Sequence, residues 1–406
     1  MRVLFVSDVY FPRVNGVSTS IATFRADLGG AGIDTTLVAP QYGAEPTASD
    51  DAGVLRVPSR PVPRDHEDRL MRWGALRRTL QSLQGRRYDL VHIHTPFLAH
   101  YAGVSFARAA GLPVVETYHT FFEEYVHHYV PLLPRVVGRR LARSITRAQC
   151  AQVDALVAPS APMRDMLESI GVRKPVTVIP TGLPADRFRR GDAARFRAGQ
   201  AIPAGRPLVL YVGRVAHEKN IGFLVDSFVE VRRARPDALL VIAGEGPARG
   251  ALMAQAERLG LARDVAFVGY LDRRSALADC YAAAAVFVFA SRTETQGLVL
   301  LEAMAQGCPV VSTAHLGTAS ILQSGCGARV VPEERCAFAQ AIIDTLADPQ
   351  GAARAGAQAR EYAQRWASEL MARRMRDFYS AQCAQAKIPQ PAMSPVALRE
   401  THERRS

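Results

Sequence analysis

The stretch that decides the fold runs from residue 286 to residue 302 and reads Val-Phe-Val-Phe-Ala-Ser-Arg-Thr-Glu-Thr-Gln-Gly-Leu-Val-Leu-Leu-Glu. Its first four residues form a short apolar run, which is typical of a strand buried in a parallel sheet. A polar loop ends at Gly297, and the apolar segment after it predicts a helix over residues 298–306. A strand, a glycine turn and a helix in this order make a βα unit of a doubly wound α/β domain.

Two carboxylates lie in this unit, eight residues apart. Glu294 falls in the loop, and Glu302 falls about one turn into the predicted helix. Carboxylates accept strong, directional hydrogen bonds from sugar hydroxyls, and the backbone N–H groups of Gly297, Leu298 and Val299 can hold a phosphate at the helix start. The pattern predicts a ligand with a hydroxyl-bearing group at each end. The alternative is a loop-capping Glu294 and a solvated Glu302, and the apolar residues around Glu302 argue against it.

The same alternation of apolar runs and helical segments extends along the chain and predicts parallel sheets built from βαβ units. The predicted strands are residues 3–6, 36–38, 90–93, 114–115, 156–157, 208–212, 239–242, 265–268, 286–289 and 310–311. The predicted helices include residues 19–28, 69–83, 222–235, 247–259, 273–282, 298–306, 351–365 and 367–380. In such sheets ligands sit beyond the carboxyl ends of the strands.

The domain organisation follows from an interruption of this alternation. The pattern stops in a segment rich in Arg, Ala, Gly and Asp and restarts at Leu208, and 406 residues are enough for two cores. We therefore predict two Rossmann-like, doubly wound domains that face a central cleft, at residues 1–186 and 207–380, with a linker at 187–206. Residues 386–406 are polar, contain proline and lack periodicity, which predicts a disordered tail.

The composition narrows the class of protein. With 48% hydrophobic and 22% charged residues the chain is typical of a globular protein. Its net charge of +12 suits nucleotide phosphates, an anionic membrane surface or nucleic acid, and a solvated basic surface is the alternative. Six cysteines without a Cys-x-x-Cys pair favour a reduced, cytoplasmic setting. We find no signal segment and no apolar run of roughly 18 residues, so we expect a protein that can lie on a membrane without crossing it.

Three further loops follow predicted strand ends. Gly16 lies at a loop tip just before a helix, where backbone N–H groups can approach a phosphate. Arg214 and Lys219 follow the first strand of the second half, where two cations can neutralise a diphosphate as it leaves. Gly269 ends another strand beside Tyr270, where a nucleobase can stack. A tight turn at Gly16 and a surface charge cluster at Arg214 and Lys219 are the alternatives.

The histidines concentrate in the first half of the chain. Their spacing matches no standard metal-ligand pattern, and the chain contains no Asp-x-Asp motif. We therefore predict no metal and no other cofactor. His119 stands at the C-terminal end of a predicted strand that points to the cleft, which makes it our candidate for a sugar contact.

The segment from residue 118 to residue 149 combines aromatic residues, including Tyr125, with arginines at three- and four-residue spacing. That spacing places Arg139, Arg140 and Arg143 on one face of a helix that carries apolar residues on the other. The combination is typical of a helix that lies in an anionic membrane interface, so we predict a membrane or acceptor contact here. An amphipathic helix that packs only on its own domain is the alternative.

Taken together, these residues resemble the GT-B glycosyltransferases, specifically the large retaining family 4, over about residues 1–380. The family's Glu-x7-Glu element is matched by Glu294 and Glu302, and its basic pair by Arg214 and Lys219. The resemblance implies that Glu294 contacts the hydroxyls of the donor sugar and that Glu302 holds the ribose. It also implies C-terminal helices that pack back toward the first domain.

The first half of the chain carries further motifs of the same family. The N-terminal glycine loop is matched by residues 15–17, and the histidine placed against the transferred sugar is matched by His119. Residues 11–17, 117–127 and 131–134 are similar to those of bacterial diacylglycerol glucosyltransferases and lipid mannosyltransferases. This second similarity implies a lipid acceptor and leaves the donor open.

The resemblance therefore implies a hexosyltransferase that moves glucose or mannose from a UDP- or GDP-sugar to an acceptor hydroxyl with retention. A membrane lipid is the implied acceptor, in glycolipid or cell-envelope glycan synthesis, and the inner face of the cytoplasmic membrane is the expected location. The alternatives are a soluble or polyprenyl-linked glycan acceptor, a nucleotide-sugar epimerase, and a non-catalytic binder. We recognise no nucleic-acid-binding module and expect no nucleic-acid partner.

Overall fold

The computed structural model describes residues 1–43, 52–62, 65–119, 135–273 and 275–386. Within these ranges the chain forms two parallel sheets with helices on both faces, each with its own hydrophobic core. The predicted pair of doubly wound, Rossmann-like domains is thereby confirmed. No helix in the described ranges is both long and apolar enough to span a bilayer.

The first domain is built on a seven-stranded parallel sheet in the order β3-β2-β1-β6-β7-β8-β9, with an antiparallel ribbon of β4 and β5 beside it. The bounds of its strands are β1 (Arg2–Val6), β2 (Asp34–Pro40), β3 (Val54–Val57), β4 (Ser59–Val62), β5 (Asp65–Met71), β6 (Leu90–Ile93), β7 (Val114–Thr117), β8 (Ala155–Ala158) and β9 (Val176–Val178). Every residue of β6, β7 and β8 is buried. These strands are mostly apolar, with His92, Glu116 and Thr117 as the exceptions, because helices cover both faces of the sheet.

Five described helices flank this sheet: α1 (Gly16–Gly30), α2 (Trp73–Gln81), α3 (Leu98–Ala110), α4 (Arg135–Cys150) and α5 (Ala161–Ser169). Two of them begin at side-chain caps. The Asn15 side chain accepts a hydrogen bond from the Ser18 N–H at the start of α1. The Ser160 side chain accepts one from the Met163 N–H at the start of α5. Such caps satisfy N–H groups that the helix itself leaves unpaired.

The helix predicted over residues 69–83 was wrong at its N-terminal end. Arg69 and Met71 belong to β5, where they pair with Pro61 and Ser59 of β4, and the helix begins only at Trp73. The ribbon is polar and lies outside the main sheet. It therefore lacks the apolar run by which a buried strand is recognised.

The second domain has a six-stranded parallel sheet in the order β12-β11-β10-β13-β14-β15. Its strands are β10 (Leu208–Val212), β11 (Leu239–Ala243), β12 (Val265–Gly269), β13 (Val286–Phe289), β14 (Val310–Ser312) and β15 (Ala328–Val330). Its helices are α6 (Ala193–Gly199), α7 (Ile221–Ala234), α8 (Arg249–Arg258), α9 (Ala276–Ala283), α10 (Leu298–Ala305), α11 (Thr318–Ile321), α12 (Arg335–Ala347) and α13 (Pro349–Ala363). The last described helix is α14 (Ser368–Ala386).

Residues 187–206, which the sequence predicts to be a linker, pack largely against the second domain. Within this segment, α6 buries Phe196 in the hydrophobic core of that domain. Arg195 donates two hydrogen bonds to Asp279 of α9, at 2.6 and 2.8 Å. Helix α6 shows little apolar periodicity because it is held in place by one aromatic residue, Phe196, and by the Arg195–Asp279 ion pair.

The C-terminal helix returns to the first domain, as expected from the resemblance. The chain crosses over where Leu183 pairs with Ala367 as an isolated parallel bridge. From there α14 packs against α1, and Tyr379 is buried in the first domain's core. Helix α14 extends to Ala386, and residues 387–406 of the predicted tail lie outside the described residues.

Candidate active site

Two oppositely charged side chains meet at the carboxyl edge of the second sheet. The Lys219 Nζ donates to Glu294 Oε1 at 2.7 Å, and the two side chains are 15% and 21% exposed. Lys219 ends a short 3-10 turn after β10, and Glu294 lies in the loop after β13. Because β10 and β13 are neighbouring parallel strands, their loops meet at the same edge of the sheet.

Hydrogen bonds between the two loops fix this pair. The Asn220 Nδ2 donates to the Ala290 carbonyl at 3.1 Å, and the Thr293 Oγ1 donates to the Glu218 carbonyl at 3.5 Å. Asn220 adopts a left-handed conformation with φ of 56°, which asparagine tolerates better than most residues. The backbone around Lys219 is therefore anchored to the strand end that precedes Glu294.

Arg214 lies on a loop held by a glycine turn. The Val215 N–H donates to the Glu245 carbonyl at 2.9 Å, and the Tyr211 hydroxyl donates to the Arg214 carbonyl at 3.2 Å. A Cβ atom at Gly246 would lie 2.4 Å from the Val215 carbonyl oxygen. This close backbone approach requires glycine, so the turn after β11 shapes the loop that carries Arg214.

Glu302 is a buried carboxylate held by two side chains that the sequence analysis missed. It is 5% exposed; Arg273 Nη2 donates to its Oε1 at 2.7 Å and the Tyr281 hydroxyl to its Oε2 at 3.1 Å. Burial, with a further contribution from the charge of Glu302, raises the pKa of Tyr281 well above its usual value. In the sequence both residues fall in the helix predicted over residues 273–282, where nothing marked them as partners of Glu302. Arg273 precedes α9, Tyr281 lies in α9 and Glu302 lies in α10, so their convergence depends on tertiary packing.

The predicted phosphate-binding backbone opens α10. Gly297 precedes this helix with φ of 98°, and a Cβ there would lie 3.1 Å from the Thr318 Cγ2 atom. Leu298 and Val299 form the first turn, whose N–H groups have no partner within the helix. Gly269, at the end of β12, accepts a hydrogen bond from the Gly244 N–H at 2.8 Å. Gly269 is thus placed at the same sheet edge as Arg214.

The first domain contributes residues from the carboxyl ends of its own strands. Gly16 is the first residue of α1, directly after the capping Asn15. His119 follows β7, is only partly buried, and lies with its Nε2 atom 3.4 Å from the Nδ1 atom of His94. Burial lowers the pKa of His119 to about 4, so its ring is neutral near pH 7.

The two domains touch at the loop that carries Glu294. The Ser160 Oγ, just beyond β8, donates to the Thr295 carbonyl at 2.7 Å. The Gln296 side chain accepts from the Thr181 N–H at 2.8 Å and donates to the Thr181 carbonyl at 2.7 Å. Because β8 is the neighbour of β7, this contact brings the sheet edge of His119 to the loop of Glu294. Sequence reasoning did not identify Ser160, Thr181 or Gln296.

The three candidate membrane arginines lie on α4. Arg139, Arg140 and Arg143 are exposed, as are the apolar Val137 and Leu141, at 50% and 51%. Tyr125 lies outside the described residues. The described residues contain no group of three His, Cys, Asp or Glu side chains that could hold a metal ion, and the expectation that the protein uses none stays a prediction.

Comparison with protein families gives two adjoining matches. Residues 14–187 match the family described as Glycosyltransferase Family 4, and residues 192–362 match the family described as Glycosyl transferases group 1. The boundary between the matches falls in the segment that leads into α6. All the candidate residues of the sheet edges described above lie within the two matched ranges.

Two curated relatives and one solved structure extend this comparison. The chain is 31% identical to the alpha-monoglucosyldiacylglycerol synthase of Streptococcus pneumoniae over 77% of this chain and 71% of that protein. It is 29% identical to the GDP-mannose-dependent alpha-(1-6)-phosphatidylinositol dimannoside mannosyltransferase of Mycobacterium tuberculosis, over 81% and 83%. The sucrose-phosphate synthase of Thermosynechococcus elongatus superposes with a TM-score of 0.79 at 22% identity, over 95% of this chain and all of that one.

These matches agree with the fold described above. The solved structure supports the two-domain GT-B architecture, and the sequence relatives share most of their length with this chain. The epimerase alternative is not favoured, because the relatives are glucosyl- and mannosyltransferases. The chain belongs to the family 4 glycosyltransferases of GT-B fold and is a hexosyltransferase.

Proposed function

We propose that the protein transfers glucose or mannose from a UDP- or GDP-sugar to a hydroxyl of a membrane lipid, with retention at the anomeric carbon. The observation that carries the proposal is the Lys219–Glu294 ion pair at the carboxyl ends of the strands in the second domain's sheet. It sets a cation and a carboxylate side by side, where one ligand can engage both. A sugar nucleotide has this character, since its diphosphate is anionic and its sugar presents hydroxyl donors.

In the proposed complex each residue has a distinct partner. Glu294 accepts hydrogen bonds from the sugar hydroxyls and Glu302 from the ribose. Arg214, Lys219 and the N–H groups after Gly297 stabilise the diphosphate. Negative charge grows on the diphosphate as the bond to the anomeric carbon breaks, so groups fixed around it lower the barrier.

The transfer step balances without a protein nucleophile. The bond between the anomeric carbon and the diphosphate oxygen breaks, and the acceptor oxygen bonds to that carbon from the same face. The proton of the acceptor hydroxyl passes to the leaving diphosphate oxygen. Closure of the two domains excludes water, which limits hydrolysis of the donor. This route follows from our assignment of Glu294 to sugar binding rather than to covalent attack.

The lipid acceptor rests on two supports. The curated relatives are named for glucosylated diacylglycerol and for phosphatidylinositol mannosides, and both are lipids. Helix α4 exposes Arg140 and Arg147 beside Val137 and Leu141. At 100° per residue these form adjoining basic and apolar stripes, while Ala142 and other small residues face the domain. Such a helix suits an anionic membrane interface, and we place the enzyme on the inner face of the cytoplasmic membrane.

A panel of donors and acceptors tests the proposed function. Purified protein is incubated with UDP-glucose, GDP-mannose and other sugar nucleotides, each with diacylglycerol, phosphatidylinositol, a polyprenyl-linked acceptor or a soluble glycan. We expect a glycolipid product with one hexosyl donor, and an α-linkage by NMR. Transfer only to the soluble glycan would refute the lipid acceptor. Conversion of the sugar nucleotide to its epimer in the absence of acceptor would refute the proposed transfer. Binding of the sugar nucleotide without turnover of any donor and acceptor pair would also refute it.

The membrane contact gives a separate prediction. Replacing Arg139, Arg140 and Arg143 together by glutamine should weaken binding to vesicles that contain anionic phospholipid. Each basic residue near such a surface contributes about 1 kcal/mol, so the partition coefficient should fall on the order of 100-fold. Sedimentation with vesicles at several salt concentrations measures it.

A matched variant controls for the loss of net charge. Arg354, Arg373 and Arg374 are exposed arginines on α13 and α14. Their joint replacement by glutamine lowers the net charge equally but leaves α4 intact, so vesicle binding should stay close to that of the unmodified protein. Equal binding by the two triple variants would overturn the assignment of α4 to the membrane.

A further inference from the structure

Three histidines from two neighbouring strands lie in a row that ends at the cleft. His92 lies in β6, His94 directly follows that strand, and His119 follows β7. The rings of His92 and His94 have their centroids 4.1 Å apart, and those of His94 and His119 have theirs 5.7 Å apart, with an angle of 22° between the ring planes. His92 and His94 are 0% and 1% exposed. Only His119, which is partly buried, is able to meet a substrate.

The inner end of the row is fixed by hydrogen bonds. The His92 Nδ1 lies 2.5 Å from the hydroxyl of Tyr379 on α14, and its Nε2 lies 2.7 Å from the Thr117 Oγ1. The His94 ring is held between His92 and Phe5, whose centroid is 4.6 Å away. His94 therefore has little freedom to rotate, and its orientation determines which atom it offers to His119.

All three rings are neutral near pH 7. Burial lowers the pKa of His92 and of His94 well below the usual value, and neighbouring histidines lower both further. Burial also lowers the pKa of His119. A neutral imidazole carries one N–H and one lone pair, so the contact between His94 Nδ1 and His119 Nε2 needs a donor on one side and an acceptor on the other.

The second nitrogen of His94 decides the direction of this hydrogen bond. The His94 Nε2 is fully buried and has no hydrogen-bond partner in the described ranges. An orphaned buried N–H is rarer in proteins than an under-used acceptor, so the lone pair belongs on Nε2 and the proton on Nδ1. The His94 Nδ1–H then donates to the His119 Nε2, which must be unprotonated. The His119 proton accordingly sits on its Nδ1.

We propose that His94 is a positioning residue that holds His119 in its Nδ1–H tautomer, so that His119 presents an N–H donor to an oxygen of the transferred sugar. The inference rests on the proposed function only for the identity of that oxygen. The tautomer itself follows from the contacts of His94. The ring nitrogen of a histidine that carries the proton is set by the hydrogen bond at the other nitrogen, and His94 supplies that bond.

NMR reads the tautomer directly and needs no activity. In protein labelled with ¹⁵N-histidine, long-range ¹H–¹⁵N correlations distinguish a protonated from an unprotonated ring nitrogen. His119→Ala identifies the His119 signals. We expect a protonated Nδ1 and a bare Nε2 for His119, and the loss of this single tautomer in His94→Leu. A protonated Nε2 in the unmodified protein would overturn the proposal even if the enzyme is an active glycosyltransferase.

Kinetics of two matched variants tests the consequence for the substrate. His94→Leu removes the donor, whereas His94→Asn can place an amide N–H near the position of the lost Nδ1. We expect kcat/KM for the donor to fall about 10- to 100-fold in His94→Leu, because a misplaced contact group costs this much. His94→Asn should recover most of the loss. Affinity for the sugar-free nucleoside diphosphate should stay unchanged in both.

A double variant separates positioning from a general effect on folding. In a His119→Ala background, His94→Leu should cause no further loss of kcat/KM, because its only route to the substrate is gone. Additive losses would overturn the proposal, and so would equal losses in His94→Leu and His94→Asn. If no donor and acceptor pair is turned over, the proposed function fails, while the NMR experiment still decides the tautomer.

Discussion

Replacing Lys219 by methionine should lower kcat about 10²- to 10³-fold, because one fixed charge or donor aimed at the developing negative charge contributes this much to catalysis. Methionine keeps much of the length and the apolar stem of lysine but carries no charge. The change also removes the donor that holds Glu294 Oε1 at 2.7 Å, so the carboxylate that we propose to bind the sugar loses its restraint. Initial rates with a saturating donor measure the effect.

Lys174 supplies the matched control for this experiment. It precedes β9 and therefore lies at the amino ends of the strands of the first sheet, opposite the carboxyl ends that carry the candidate site. Its side chain is half-buried. Lys174→Met makes the same chemical change and should leave kcat within twofold. Near-normal kcat in Lys219→Met, with a normal unfolding transition, would refute the role that we propose for Lys219 at the diphosphate. Lys219→Arg retains the charge and should lose less than the methionine variant.

The sheets could be predicted from the sequence because their strands are short, apolar and buried on both faces. The runs at residues 90–93, 208–212 and 286–289 are each followed by polar loops, and the structure places a strand at each. The βα periodicity then decides the doubly wound fold. The edge strands β3, β9 and β15 were not predicted, because none of them is buried along its whole length. The ribbon of β4 and β5 escaped prediction because its residues are polar and pair outside the sheet.

The candidate site could be predicted only in part. Glu294 and Lys219 were both found as loop residues, and parallel strand order explains why they meet. The partners of Glu302 were missed, because Arg273 and Tyr281 reach it across the packing of separate helices and loops. No local pattern encodes such a contact. It depends on tertiary packing, which a single sequence does not display.

Gln296 was also missed, because its partner Thr181 lies in the other domain. Its replacement should have the second of the two largest effects. Its side-chain amide forms a reciprocal pair of hydrogen bonds with the backbone N–H and carbonyl of Thr181, at 2.8 and 2.7 Å. Both residues are at least 95% buried. The Thr181 Oγ1 in turn donates to the Ser20 Oγ of α1 at 2.7 Å. Gln296 therefore ties the loop between Glu294 and Gly297 to the first domain.

Replacing Gln296 by leucine should destabilise the protein and impair donor binding together. Leucine leaves two buried backbone groups of Thr181 without partners, and each such group costs about 1–3 kcal/mol. We expect a loss of roughly 2–6 kcal/mol in the free energy of unfolding. The donor KM should also rise, because the loop that carries Glu294 loses its anchor. Urea unfolding and steady-state kinetics measure the two effects.

Gln306 offers a control of the same chemistry at another place. Its side chain accepts from the Gly191 N–H at 2.9 Å and donates to the carbonyls of Arg187 and Arg189 at 2.6 and 2.7 Å, all in the segment that leads into α6. Gln306→Leu should lose comparable stability but shift the donor KM much less. If the two variants raise KM equally, Gln296 acts only through stability. A selective rise in Gln296→Leu means that the contact between the domains also sets the geometry of the donor loop.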